Sequence, residues 1–192
     1  MRSSGSTRSL RDRPGPRLLL VVAGADHPKA CTGRRLLRLG RALAVGNSTG
    51  LHPAPIVLDP RASEPLSSAD RDAAVRGGLL AVDCSWNALG RRGALPPARG
   101  GPVDSSRHRR LPILVAANPQ HYGRVAELNT VEALSAGLYV LGFPAEARDL
   151  LEGFRGGPGF LALNRERLER YAAARTRDEI LAAELVLFGP AA

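Results

Sequence analysis

Four apolar bursts of strand length punctuate the first two-thirds of the chain. Arg17–Gly24 carries the aliphatic run Leu18–Ala23, and Pro55–Leu58, Leu79–Val82 and Leu111–Ala117 repeat the pattern; each predicts a buried strand. Between them the periodicity turns helical. From Thr32 to about Val45, Leu36, Leu39 and Leu43 form one stripe, and Arg34, Arg38 and Arg41 another. A second helix starts in Leu66–Asp70 with Ser67 or Ser68 as cap, and Gly77-Gly78 stops it. Helical patterns then follow in succession over Thr130–Gly142, Pro144–Gly153, Phe160–Ala173 and Arg177–Leu187, the last with Thr176 and Glu179 in capping-box spacing. Strands alternating with helices, then helices alone, predict an α/β protein with a helical C-terminal portion.

The punctuation divides the chain into a flexible basic tail (1–16), a small N-terminal α/β lobe (17–90), a mobile basic loop rich in Gly and Pro (91–110) and a C-terminal region (111–192). The Arg- and Ser-rich tail would also suit a transit peptide. With 44% apolar residues in 192, the bulk of the chain can bury a core. No stretch reaches the roughly 18 apolar residues of a spanning helix, so no membrane role is expected. Two cysteines, Cys31 and Cys84, do not make a disulfide-stapled secreted module; a reduced compartment, read as cytoplasmic, fits them.

Charge changes the picture. The formal net charge is +9, from 27 basic and 18 acidic residues, and it is concentrated in residues 1–41 and 91–110 on a near-neutral body. Two basic regions of this kind point to a polyanionic partner, with nucleic acid the expected one. The rival explanation is a GC-rich genome, because Lys29 is the only lysine and arginine supplies the rest.

Generic motifs are absent: no Gly-x-Gly-x-x-Gly follows a strand, and no phosphate-binding Gly/Lys loop or paired Cys-x-x-Cys occurs. His27 and Cys31 lack further ligands, so no metal is expected, and His52, His108 and His121 read as surface or loop residues. Polar residues do gather where predicted strands end. Asp83-Cys84-Ser85-Trp86 follows one, and Asn118-Pro119-Gln120-His121-Tyr122-Gly123 follows another. Ligands of open α/β sheets bind there. The structural alternative stays open: Asp83 as a helix cap, Trp86 as core, Asn118-Pro119 as a turn. Thr32, at the start of the first basic helix, reads either as an anion-binding helix start or as a plain cap.

Five blocks make the chain recognisable. Asp26-His27-Pro28-Lys29-Ala30-Cys31-Thr32-Gly33, Ile56-Val57-Leu58-Asp59-Pro60, Val82-Asp83-Cys84-Ser85-Trp86, Leu111 through Gly123, and Leu128-Asn129-Thr130-Val131-Glu132-Ala133-Leu134 occur in that order. Together they resemble the small-subunit ribosomal RNA aminocarboxypropyltransferases, over about Leu18 to Leu187. The resemblance implies a SPOUT-like fold with a C-terminal trefoil knot beside the N-terminal lobe. It also implies transfer of the 3-amino-3-carboxypropyl arm of S-adenosylmethionine to N3 of an N1-methylpseudouridine or uridine in small-subunit rRNA, releasing methylthioadenosine.

Carried over by position, the resemblance assigns the arm's carboxylate to Thr32 and the Thr130 backbone, and the ribose to the Val82 carbonyl. Adenine falls to backbone groups of Leu111 and Ala126 inside a wall of Leu58, Pro60, Trp86, Leu111, Leu128 and Ala133. Asp83, near the transferred arm, is the expected general base. Lys29, Arg34, Arg35 and Arg38, with Arg107, Arg109 and Arg110, are expected to form a positive rim for rRNA or a pre-ribosomal particle. The enzyme is expected to work as a monomer. The competing readings are a SPOUT-type RNA methyltransferase, which shares fold and cofactor, and a non-catalytic RNA-binding assembly factor.

Overall fold

The computed structural model of the chain describes residues 14–22, 31–46, 51–83 and 105–189. Among these residues five parallel strands make one sheet in the order β2-β1-β4-β3-β5: β1 (Leu18–Val22), β2 (Leu43–Ala44), β3 (Ile56–Leu58), β4 (Leu79–Asp83) and β5 (His108–Arg109). The apolar bursts at β1, β3 and β4 form its centre, with Leu18–Val22 aligned residue for residue against Leu79–Asp83. Alternation along them sends Leu18, Leu20, Ile56, Leu58, Leu79 and Ala81 into the main core, and Leu19, Val21, Val57 and Leu80 into a smaller cluster. Among the described residues seven helices accompany the sheet: α1 (Thr32–Arg38), α2 (Arg71–Gly77), α3 (Thr130–Val140), α4 (Pro144–Leu151), α5 (Gly157–Leu163), α6 (Arg165–Ala173) and α7 (Arg177–Phe188). The main core takes residues from both sides of the boundary expected near 91–110, so sheet and C-terminal helices share one interior. α3 seals it, and Gly137 lets that helix close in: a Cβ there would come 2.8 Å from Leu79 Cδ2.

Four expectations are corrected. The first helix stops at Arg38, not Val45: Leu39 caps it, Gly40 turns with φ 62°, and Leu43–Ala44 becomes an edge strand. Leu39 and Leu43 are therefore exposed while Leu36 is buried, and Arg41 leaves the arginine stripe to bind the Leu150 and Glu152 carbonyls. The segment expected as a helix over Phe160–Ala173 is two helices broken at Asn164. The expected mobile loop ends in structure, with a short turn at Ser105–Arg107 and then β5.

The fourth concerns residues 111–117, which are buried at alternate positions but join no sheet. Side chains from later helices satisfy much of their backbone instead. Glu184 accepts from Ile113 N, Tyr171 donates to Ile113 O, Asn164 pairs with both backbone groups of Val115, and Glu132 accepts from Ala117 N. A buried backbone must find partners, and here helices supply them.

His108 is no free surface histidine. Its Nδ1 lies 2.9 Å from Asp59 Oδ2, clipping the end of β3 to β5. Burial opposes ionisation of Asp59, but bonds from His108 and the Arg61 amide outweigh it and hold the carboxyl below its ordinary value. A depressed carboxyl stabilises the fold above its unfolded value of about 4, and that contribution fades as pH falls through the folded value. Asp59→Asn is thus expected to lower Tm at neutral pH, with the gap to wild type narrowing under acid; thermal melts from pH 7 to pH 3 check this.

Candidate active site

The carboxyl end of β4 carries Asp83, half-buried beneath the starts of two helices. Thr130, the first residue of α3, donates its hydroxyl to Asp83 Oδ1 at 2.6 Å. Cys31, the N-cap of α1, donates its thiol to Asp83 Oδ2 at 2.5 Å while accepting from Arg34 N. Burial and the bond to Asp83 push the Cys31 thiol above its ordinary pKa, so it stays a donor and not a thiolate. Gly33 makes the close packing possible: a Cβ there would sit 2.5 Å from Asp83 Oδ2.

Local sequence explains both helix starts. Asn129 accepts from Glu132 N and Glu132 Oε2 accepts from Asn129 N, a reciprocal cap that fixes where α3 begins. Glu132, 2% exposed, also receives Ala117 N at 2.9 Å and Asn118 Nδ2 at 2.7 Å. One carboxylate therefore ties the 111–117 segment to the helix that holds Asp83. Thr32 is the first residue of α1, as expected, with Cys31 as its cap. A first-turn N–H has no acceptor within its own helix; the caps here take Arg34 N and Glu132 N, and the two helix starts, with their partial positive charge, meet at Asp83.

Of the residues expected to wall the adenine, four lie in or against the main core. Leu58 and Leu128 are buried in the main core, and Leu111 and Ala133 pack against it half-buried. Val82 precedes Asp83 on β4, and Pro60 lies exposed just beyond β3. Ala126 has φ 61°, held by its N–H on the Leu114 carbonyl at 2.8 Å. Trp86 and Lys29 lie outside the described residues, as do Cys84 and His27. Among the described residues, no cluster of His, Cys, Asp and Glu could hold a metal, and no helix is long and apolar enough to cross a membrane.

The expected arginine rim separates into two kinds. Arg34 is half-buried on α1, and Arg35 and Arg38 are exposed, the former with its guanidinium 4.8 Å from the Phe154 ring. Arg107 is half-buried in the turn before β5. Arg109 instead is 7% exposed and bonds Asp70 at 3.1 Å and Glu64 at 3.3 Å. Arg110 makes a two-pronged pair with Glu184, at 2.7 and 2.8 Å, which raises its pKa further. Both guanidinium groups are committed to carboxylates of the fold, which corrects the expectation that they grip phosphates.

Three residues of this site lie outside the sequence-based expectations. Cys31 was weighed only as a metal ligand, Gly33 carried no local signal, and Glu132 was readable from the Asn129-x-x-Glu132 spacing alone.

Known proteins resemble this chain in sequence and in fold. Residues 56–187 match the family model described as ribosome biogenesis protein, C-terminal. The 16S rRNA aminocarboxypropyltransferase of Methanopyrus kandleri is 46% identical, over 85% of this chain and 94% of that protein. The enzyme of the same name from Halobacterium salinarum is 43% identical, over 84% of this chain and 90% of its own. Among solved structures, the SAM-dependent rRNA:acp-transferase Tsr3 from Vulcanisaeta distributa superposes with a TM-score of 0.73 at 33% identity, covering 91% of this chain and 99% of that one.

Proposed function

The chain belongs to the ribosome-biogenesis family of rRNA aminocarboxypropyltransferases, and from that premise we propose that it moves the 3-amino-3-carboxypropyl group of S-adenosylmethionine onto small-subunit rRNA. The observation that carries this reading is Asp83, held between two helix N-termini at the carboxyl end of a parallel sheet. The residues suit the donor: Thr32 and Thr130 open helices whose free N–H groups favour a carboxylate, and Leu58, Leu111, Leu128 and Ala133 offer an apolar wall to a flat neutral base. Bound there, S-adenosylmethionine supplies an arm whose carbon–sulfur bond breaks with a neutral thioether, methylthioadenosine, as leaving group. Trp86 and Pro60 would complete the wall, with the Val82 carbonyl on the ribose and the Leu111 and Ala126 backbones on the adenine.

Asp83 acts as the general base. Its carboxylate takes the proton from uracil N3 as that nitrogen forms its bond to the arm's carbon. Cys31 and Thr130 fix its orientation, and much of the rate comes from presenting the arm's carbon, not the methyl, to the acceptor. The acceptor is N3 of an N1-methylpseudouridine or uridine. The C-terminal region is SPOUT-like with a trefoil knot; support for this is segment 111–117, bonded by residues from three helices of the C-terminal half and by Asn164 between two of its helices. On this reading the enzyme works as a monomer in the cytoplasm.

Arg34, Arg35 and Arg38, with Lys29 and Arg107, form the phosphate-gripping rim, since Arg109 and Arg110 are spent on the fold. Replacing Arg34, Arg35 and Arg38 together with Gln is expected to weaken RNA binding and flatten its salt dependence, with little change in S-adenosylmethionine affinity. RNA titrations at two salt concentrations check it; unchanged affinity and slope would move the rim elsewhere. The function itself is tested by nucleoside mass spectrometry of small-subunit rRNA from cells with and without the gene. One modified uridine should lose its aminocarboxypropyl group; loss of a methyl alone would favour a methyltransferase, and no change an assembly factor.

A further inference from the structure

The turn between segment 111–117 and α3 takes no part in holding Asp83, yet it is firmly built. Asn118 at its base is 3% exposed; its amide donates to Glu132 and its Oδ1 accepts from His121 N at 3.1 Å. Gly123, with φ 80°, reverses the chain and returns its N–H to Ala116 O, while Ala116 N and Ala126 N complete an antiparallel pairing across the turn. His121 and Arg124 both hold Glu127. On this braced frame Tyr122 stands 71% exposed. A rigid turn that keeps an aromatic ring in water forgoes the free energy of burying it, which makes sense where the ring has a partner.

The brace ends at the reacting centre. Glu132, which holds Asn118, sits in the first turn of α3, two residues after the Thr130 that holds Asp83. The turn and the Asp83 carboxylate thus hang from one helical turn. We propose that Tyr122 is a stacking platform for an unpaired base of the substrate RNA, next to the nucleotide delivered to Asp83. The inference rests on the rRNA reading above. An unpaired loop base presents a bare π-face, stacking on Tyr is a common means of holding it, and the net charge of +9 favours a polyanion over an acid-poor protein partner.

Binding of a synthetic hairpin carrying the decoding-region loop of small-subunit rRNA tests this with Tyr122→Ala, Tyr122→Leu and Tyr122→Phe. The Ala and Leu variants are expected to bind about tenfold more weakly and Phe within about twofold of wild type, as stacking and not the hydroxyl or mere apolarity predicts. Their Tm and S-adenosylmethionine affinity should match wild type. Wild-type hairpin affinity in Tyr122→Ala overturns the proposal. So does weaker binding of pre-ribosomal particles with hairpin binding unchanged, which would make the partner a protein. If wild type itself neither binds nor modifies the RNA, the rRNA reading fails and this inference falls with it.

Discussion

Replacing Asp83 with Asn is expected to lower kcat for arm transfer by about 10²- to 10⁴-fold, the range a positioned general base supplies. The amide keeps the shape and one oxygen acceptor but cannot take the N3 proton. The fold should survive: Asp83 is half-buried at a strand end, and Thr130 can still donate to the remaining oxygen. Single-turnover kinetics at saturating S-adenosylmethionine isolate the effect from binding. A folded variant with kcat near wild type would return Asp83 to a purely structural role, clamping α1 to α3.

Replacing Glu132 with Ala should produce the largest loss of stability. Glu132 is 2% exposed and accepts from Ala117 N, Asn118 Nδ2 and Asn129 N. Truncation leaves buried donors without acceptors and removes half of the α3 cap, for a cost of about 3–5 kcal/mol. Because Thr130 and Asn118 depend on the same helical turn, both S-adenosylmethionine and RNA affinity should fall with it. Glu132→Gln keeps one acceptor oxygen and should lose less. Urea unfolding of the three proteins gives the order wild type, Gln, Ala; an Ala variant as stable as wild type would mean the buried amides find other acceptors.

What sequence pattern conveyed, and what it could not, follows from where the partners lie. The central strands and α3 through α7 are stabilised by apolar faces and caps within a few residues of one another, so periodicity located them; only the break at Asn164 was missed. Gly40 after Arg38 is a legible stop, masked by the leucine stripe that continues to Leu43. Segment 111–117 has the alternation of a strand. Its hydrogen bonds, however, come from Glu132, Asn164, Tyr171 and Glu184, 15 to 71 residues away in sequence, a distance that no local pattern spans. Arg109 and Arg110 read as part of a basic patch for the same reason, because Asp70 and Glu184 lie 39 and 74 residues away.

The site divides similarly. Asp83 and Thr130 were legible through the blocks around them, and the structure brings them into contact. Cys31 and Gly33 stand in a block as well, but the block does not show their roles, which lie in a carboxylate that approaches from 52 and 50 residues further along the chain. A cysteine four residues from a histidine invites a metal reading. Here the thiol works as a hydrogen-bond donor and helix cap.

The central claim is that the arm of S-adenosylmethionine, and not its methyl group, ends on RNA. Two incubations with small-subunit rRNA decide it, one with donor labelled at the carboxyl carbon of the arm and one with donor labelled at the methyl. The account predicts carboxyl label in the RNA and methyl label in released methylthioadenosine; methyl label in the RNA with carboxyl label left in solution would contradict it.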